Sequence, residues 1–358
     1  MRRAATTLSI LGMVLVVGAG PALACGGLVS PNGTIALVRT TTLAAYHNGL
    51  EHYVTGFEFA GKSGDFGSVI PLPGIPSRVI RGGDWTLQRL EQEVQPLVLE
   101  EALTAAPSAS GAAFDVEVIL QKQIDALDIT ILKGGGHEVA RWVTKHGFTL
   151  PPDAPEVLEF YGNRSPVFMA VKFDAERAAK RGRSVGDAIP VHLVIPTDDP
   201  WVPLRILALG AKASDPIDAD IFLLNDDVPT MLPAPLGADS LLPRAPGLTL
   251  ARSERASRFL LSDLRSDKGM KWLPRRGSMW LSYLELRATA GELTYDLAID
   301  STGTGMPSPV DAGLLEPGVR ESLSTPGAPM WPLWAGLGLL LTVLALAGAT
   351  RRAARPAV

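Results

Sequence analysis

Cysteine is almost missing from this chain: Cys25 is the only one in 358 residues, and histidine occurs five times. A single thiol excludes an intramolecular disulfide, a CxxC redox pair and a multi-cysteine zinc site, so stability must come from the core. Charge is sparse at 20%, against 46% hydrophobic residues. That balance excludes a disordered chain and suits one large domain or two ordinary ones. A basic excess is also absent. Lys and Arg number 33 against 37 Asp and Glu, a formal charge of −4 that argues against nucleic acid as a main partner. The phosphate loops GxxxxGK[ST] and GxGxxG do not occur, nor do HExxH and SxxK.

Both ends are apolar. After Arg2 and Arg3 no charge appears from Ala4 to Ala24, and Leu8 to Gly18 has the length of a signal-peptide core. Ala22-Leu23-Ala24 supplies small residues for cleavage, giving a signal peptide over 1–24 and a mature chain starting at Cys25. Lipidation of Cys25 is the competing reading, although Ala22 stands where a lipobox prefers Leu. Residues 322–350 are uncharged, and Trp331 to Ala349 is about the ~20 residues needed to cross a hydrocarbon core. Trp331 and Trp334 suit one interface and Arg351, Arg352 and Arg355 the cytoplasmic side. The expectation is a transmembrane helix at 329–350 and a cytoplasmic basic tail at 351–358. A cleavable sorting tail is the alternative, with Leu323 to Gly327 a loose echo of a sortase site.

Between the ends the pattern predicts an α+β ectodomain, a mixed β-sheet with short packed helices. Asn48-Gly49 separates two β-compatible runs, a hairpin signal that pairs His47 with Leu50 and Ala45 with His52. Period 2 then puts Leu43, Ala45, His47, Leu50, His52 and Val54 on one face. Residues 65–73 read as extended structure kept off the sheet centre by Pro71 and Pro73. Asp84 is the expected N-cap of a helix carrying Leu87, Leu90 and Val94. Strands are expected at 114–120, 127–132, 166–173, 189–196, 202–209 and 221–224, and helices at 137–146 and 153–162. Lys133-Gly134-Gly135-Gly136 reads as a flexible turn rather than a phosphate loop. His192, alternating with Val191 and Leu193, reads as a structural strand histidine.

Composition changes at Pro229, which divides the ectodomain into 25–233 and a C-terminal part at 234–300. Residues 231–250 read as a linker or cover, 279–289 and 293–299 as a strand pair, and 301–328 as a stalk. From Ser214 to Ser240 there are six acids and no Lys or Arg, whereas from Arg252 to Arg276 eight basic residues face three acids. Mutual pairing of these regions is the expectation, ahead of an external anionic ligand. Setting aside the leader and tail arginines takes the formal charge from −4 to −9. Such an acidic ectodomain disfavours polyanions and anionic lipid and tolerates divalent cations.

Several motifs carry a resemblance: Cys25-Gly26-Gly27; G-x-x-x-D-F-G-x-V-I-P-x-P at Gly61 to Pro73; W-V-x-K-H-G-F-x-L-P at Trp142 to Pro151; V-F-M-A-V-K-F at Val167 to Phe173; and P-x-x-P-L-R-I-L-A-L-G at Pro200 to Gly210. In this order they resemble the bacterial family catalogued as domain of unknown function 2330, over Cys25 to about Pro233. The resemblance implies an exported domain with a signal peptide and often a C-terminal span. Many members carry a second cysteine shortly after the CGG, and here Leu28-Val29-Ser30 has none. No activity is assigned to the family, so no catalytic residues carry over.

Two functions follow as expectations. The first is a non-enzymatic envelope binding or structural module, single-pass in the membrane, with the bulk extracytoplasmic, an unknown envelope partner and no cofactor. The second is a metal-dependent envelope hydrolase built on His47, His52 and an acid from Asp198, Asp199, Asp226 or Asp227. A hairpin diagonal of about 7–8 Å lets two histidines share a metal only with further ligands.

Overall fold

A computed structural model describes residues 22–23, 27–29, 39–57, 66–94, 116–182, 189–302 and 305–317. Five α-helices and seventeen strands occur among them. The N-terminal part runs β1 (Ala22–Leu23), β2 (Gly27–Val29), β3 (Arg39–His47), β4 (Leu50–Phe57), β5 (Phe66–Pro71), β6 (Arg78–Arg81), α1 (Thr86–Val94), β7 (Glu117–Ile124) and β8 (Leu127–Lys133). Next come α2 (Gly136–Lys145), α3 (Ala154–Gly162), β9 (Val167–Phe173), α4 (Ala175–Lys180), β10 (Ile189–Pro196), β11 (Trp201–Val202) and β12 (Pro216–Asn225). Then β13 (Thr230–Leu232), β14 (Ala234–Leu236), β15 (Arg244–Arg255), α5 (Arg258–Ser266), β16 (Trp280–Thr289) and β17 (Leu297–Asp300) complete the order. This is the expected strand-rich α+β class.

Nine strands form the principal sheet, ordered β14-β15-β16-β12-β3-β4-β10-β6 with β1 beside β3. A second sheet runs β2-β5-β9-β8-β7 and a third β11-β17-β13. The largest apolar cluster lies between the two big sheets, joining Tyr53, Leu193 and Leu223 to Ile70, Ile129 and Met169. On the far face of the second sheet, Trp142, Val143 and Leu158 of α2 and α3 cover Leu132 and Phe168. On the far face of the first, Leu90 of α1 and Leu260, Leu261 and Leu264 of α5 cover Leu43, Val54 and Phe222. The order is therefore helix, sheet, sheet, helix. Each such fully buried leucine or phenylalanine contributes about 1.5–3 kcal/mol.

The hairpin forms as its sequence dictates. Asn48 and Gly49 take φ of 53° and 74°, the left-handed pair of a type I′ turn, and His47 pairs with Leu50 and Ala45 with His52. Elsewhere packing overrides local signals. β5 lies between β2 and β9, not at an edge, because Pro71 ends the strand where its missing N–H costs no ladder bond. Arg205–Ala208 is a 3₁₀ turn rather than strand; Leu204 and Arg205 donate their N–H to buried Asp296, which also accepts from Tyr161. Burial pushes the Asp296 carboxyl up to about 6 against these bonds, so it anchors the Pro200 to Gly210 motif structurally.

The glycine run before α2 is a close approach. A Cβ on Gly136 would stand 2.3 Å from the Glu159 backbone nitrogen, so α2 and α3 meet only through glycine.

Toward the C-terminus, residues 231–250 are not a linker, since β13, β14 and most of β15 fall there. β16 and β17 are not a pair either: β16 lies between β12 and β15, and β17 between β11 and β13. The stalk reading is corrected up to Leu314. Ala312 is fully buried, its carbonyl accepts the Asp296 N–H, and Val310 accepts from Arg164.

One compact unit runs to Leu314, and Leu315–Val358 is a second, of which only 315–317 are described. Among the described residues no helix is long and apolar enough to cross a membrane. The predicted span at 329–350 and tail at 351–358 lie outside the described residues, as do Cys25 and all of the leader except Ala22 and Leu23.

Candidate functional site

Three adjacent strands build the floor of a cleft. In the register of β4, β10 and β6, His52 lies beside Val194 and Arg78, and Val54 beside His192 and Ile80. Residues two apart on a strand share a face, so His52, His192, Arg78 and Ile80 project together. Nδ1 of His52 and Nε2 of His192 are 3.0 Å apart, one ring donating to the other. His52 is 5% exposed and His192 1%. Burial, then the neighbouring His192, His47 and Arg78, lowers the pKa of His52 to about 3. Burial, then Arg78, lowers that of His192 to about 4. Near neutral pH the pair is uncharged.

The wall is the turn that follows α5. Asp267 reaches back to the start of α1, where its carboxylate accepts from the Trp85 and Thr86 N–H groups and the Thr86 hydroxyl at 3.3, 2.8 and 2.6 Å. Asp267 thus does the capping expected of Asp84, which instead pairs with Arg81. The exchange is physically reasonable, because a carboxylate from any element satisfies open N–H groups at a helix start. Gly269 then turns at φ 88°, and a Cβ there would come 2.9 Å from Nδ1 of His192. Glycine lets the turn settle on the imidazole. Trp272 closes the wall by stacking on His52, with ring centroids 3.7 Å apart and an interplanar angle of 9°.

Together with β7 and its turn these elements enclose about 1000 Å³, the upper end of the range for small-molecule sites. Six cationic side chains line it. Arg81 and Arg181 are held by Asp125 at 2.8 and 3.1 Å. Arg78, Lys122, Lys268 and Lys271 have no anionic partner among the described residues. The other acid in the lining, Asp267, is engaged on α1. The result is a locally positive cleft in an acidic protein, with two neutral imidazoles beneath it. His192 Nδ1 and Trp272 Nε1 are buried without hydrogen-bond partners among the described residues.

The histidines singled out in the sequence part company. His47 Nδ1 meets Asp226 Oδ1 at 2.7 Å, and its Nε2 meets Asn48 Nδ2 at 2.9 Å, so both nitrogens are engaged. His52 turns to His192 instead. Asp198, Asp199 and Asp227 stay exposed. Among the described residues no three His, Cys, Asp or Glu side chains converge as a metal set. The acidic and basic regions also find other partners: Asp218 faces Arg287, Asp220 accepts from the Tyr283 hydroxyl, and Arg89 pairs with Asp263. Lys268 and Lys271 go to the cleft. Sequence reasoning missed His192, Arg78 and Lys122 as site residues; the only signal was the unmatched basic run from Arg252 to Arg276.

The family model DUF2330, described as an uncharacterized protein conserved in bacteria, matches residues 19–228. The chain belongs to this family. No curated protein matches it. Among solved structures it is similar to baculovirus P35, at 9% identity over 74% of this chain and 96% of that one, TM-score 0.39. A mutated baculovirus P35 after caspase cleavage matches at 9% identity over 73% and 99%, TM-score 0.38. The caspase-8/P35 complex gives 8% over 74% and 96%, TM-score 0.37. At such scores nothing about fold or activity passes from those proteins to this one.

Proposed function

We propose that this chain is a non-enzymatic binding module of the bacterial envelope, and that its cleft holds a compact polyanion. One observation carries the reading: Arg78, Lys122, Lys268 and Lys271 line one cleft without anionic partners among the described residues, in a chain whose net charge is negative. Cations gathered in a concave site with a low-dielectric wall focus field and raise the local concentration of anions. This reverses the expectation, drawn from net charge, that polyanions are disfavoured. A hydrolase on His47 and His52 would need both rings to leave their present partners.

Calorimetric titration of the full-length protein with tripolyphosphate and with citrate tests the reading and separates phosphate from carboxylate ligands. Saturable binding that weakens between 50 and 500 mM salt is expected. The double variant Lys268→Ala/Lys271→Ala should lose roughly 5- to 30-fold in affinity, about 1–2 kcal/mol for two partly exposed charges. Absence of binding by either anion would overturn the proposal.

The envelope setting rests on the charge-free stretch from Ala4 to Ala24 behind Arg2 and Arg3 and on the uncharged 322–350 segment. The proposed topology is a signal-cleaved, single-pass protein with the bulk extracytoplasmic. Intact mass spectrometry on protein from native membranes should give a chain from Cys25 to Val358, with any added diacylglycerol reporting lipidation of Cys25. A retained leader would sink the topology.

A further inference from the structure

We propose that the cleft takes up its polyanion together with a proton, which goes to the His52–His192 pair beneath it. The inference rests on the anion-binding reading above and adds a regulation to that site.

The geometry is that of two coupled charges. The neutral pair shares one N–H across the 3.0 Å contact and carries a second on an outer nitrogen, leaving one lone pair free. A proton from solvent adds an N–H there; no other bond forms or breaks. The imidazolium so made would lie under Arg78, which stands on the adjacent strand and opposes its charge. Lys268 and Lys271 face it from the turn after α5, and Lys122 from β7. The nearby acids are already committed, Asp125 to Arg81 and Arg181 and Asp267 to α1. His47, which bears on His52, is tied to Asp226. Empty, the cleft therefore repels a proton at the pair. A polyanion among the same cations cancels that repulsion. Linkage is reciprocal, so whatever the anion does to proton affinity the proton does to anion affinity.

The Trp272 stack and the turn at Gly269 keep the pair out of water, so it keeps its coupling to the cleft largely unscreened. No contact between ligand and imidazole is required.

The test uses inositol hexasulfate, whose sulfate esters stay ionised throughout, titrated into the full-length protein between pH 5 and 8. Calorimetry in buffers of different ionisation heat counts the protons. Net uptake approaching one proton per ligand at the acid end is expected, with affinity rising roughly three- to tenfold from pH 8 to pH 5. In the double variant His52→Phe/His192→Phe the uptake should vanish and binding should no longer vary with pH. The proton count on the native protein stands even if that variant fails to fold. Binding without proton uptake overturns the inference and leaves the anion cleft intact. Uptake that persists in the double variant places the proton elsewhere and also overturns it. No binding at any pH overturns both proposals.

Discussion

Glu51 and His52 are consecutive on β4, are both buried and are both neutral near pH 7, yet they owe that neutrality to opposite faces of one sheet. Period 2 sends Glu51 with Tyr53 toward the core between the sheets, where both carboxyl oxygens are buried without a partner among the described residues. Burial pushes its pKa up to about 8. His52 turns toward the cleft, where it has a ring to bond and a ring to stack on, and burial followed by nearby positive groups pushes its pKa down. The Glu51 face is closed and its proton answers only to the core. The His52 face is lined with Arg78, Lys122, Lys268 and Lys271, which have no anionic partner among the described residues, so its proton can answer to a ligand. A buried titratable group is a device only where something outside can reach its field.

The largest expected effect comes from the histidines. Both have folded pKa values, about 3 and about 4, below the ordinary value near 6.5. The unfolded chain therefore binds protons first, and stability falls as pH drops below about 6.5 toward 4. The loss is on the order of 5 kcal/mol for the pair. Denaturant unfolding should show it, and His192→Phe should remove much of it.

Glu51 acts with the opposite sense. Its folded pKa is raised, so its contribution is complete below its unfolded value and is lost as pH rises through about 8, on the order of 4 kcal/mol. Glu51→Gln should flatten stability above pH 5 without touching anion binding. If Glu51→Gln altered the affinity for tripolyphosphate, the division between a closed and an open face would fail.

Asp267→Ala sharpens the open side. It removes three hydrogen bonds at the start of α1, with an expected loss of about 1–2 kcal/mol. It also frees the turn that carries Lys268 and Lys271, so thermal unfolding and anion affinity should drop together. Lys268→Ala/Lys271→Ala should by contrast weaken binding while moving stability by less than about 0.5 kcal/mol, as exposed charges do.

Local signals were sufficient wherever a turn or a period specified itself. Asn48-Gly49 set the hairpin and its register, and with them the opposite facing of Glu51 and His52. Leu87, Leu90 and Val94 defined α1, and Val139, Trp142 and Val143 defined α2. Between Pro200 and Gly210 local reading failed, because a buried carboxylate far along the chain, Asp296, holds the backbone in a 3₁₀ turn. It failed again at 231–250, where irregular proline-rich sequence becomes strand only by pairing with partners already in place.

Sequence alone determined the single thiol, the acidic balance, the apolar ends, the family motifs and the hairpin, because each is written in composition or in neighbours a few residues apart. Only the tertiary structure decided that His192 would stand against His52, 140 residues away, and that Asp267 would cap a helix 181 residues distant. The cleft is made of such pairs. Its charge depends on which cations are left over once Asp125 and Asp267 have chosen their partners, and that choice is made only when the sheets and helices close on one another.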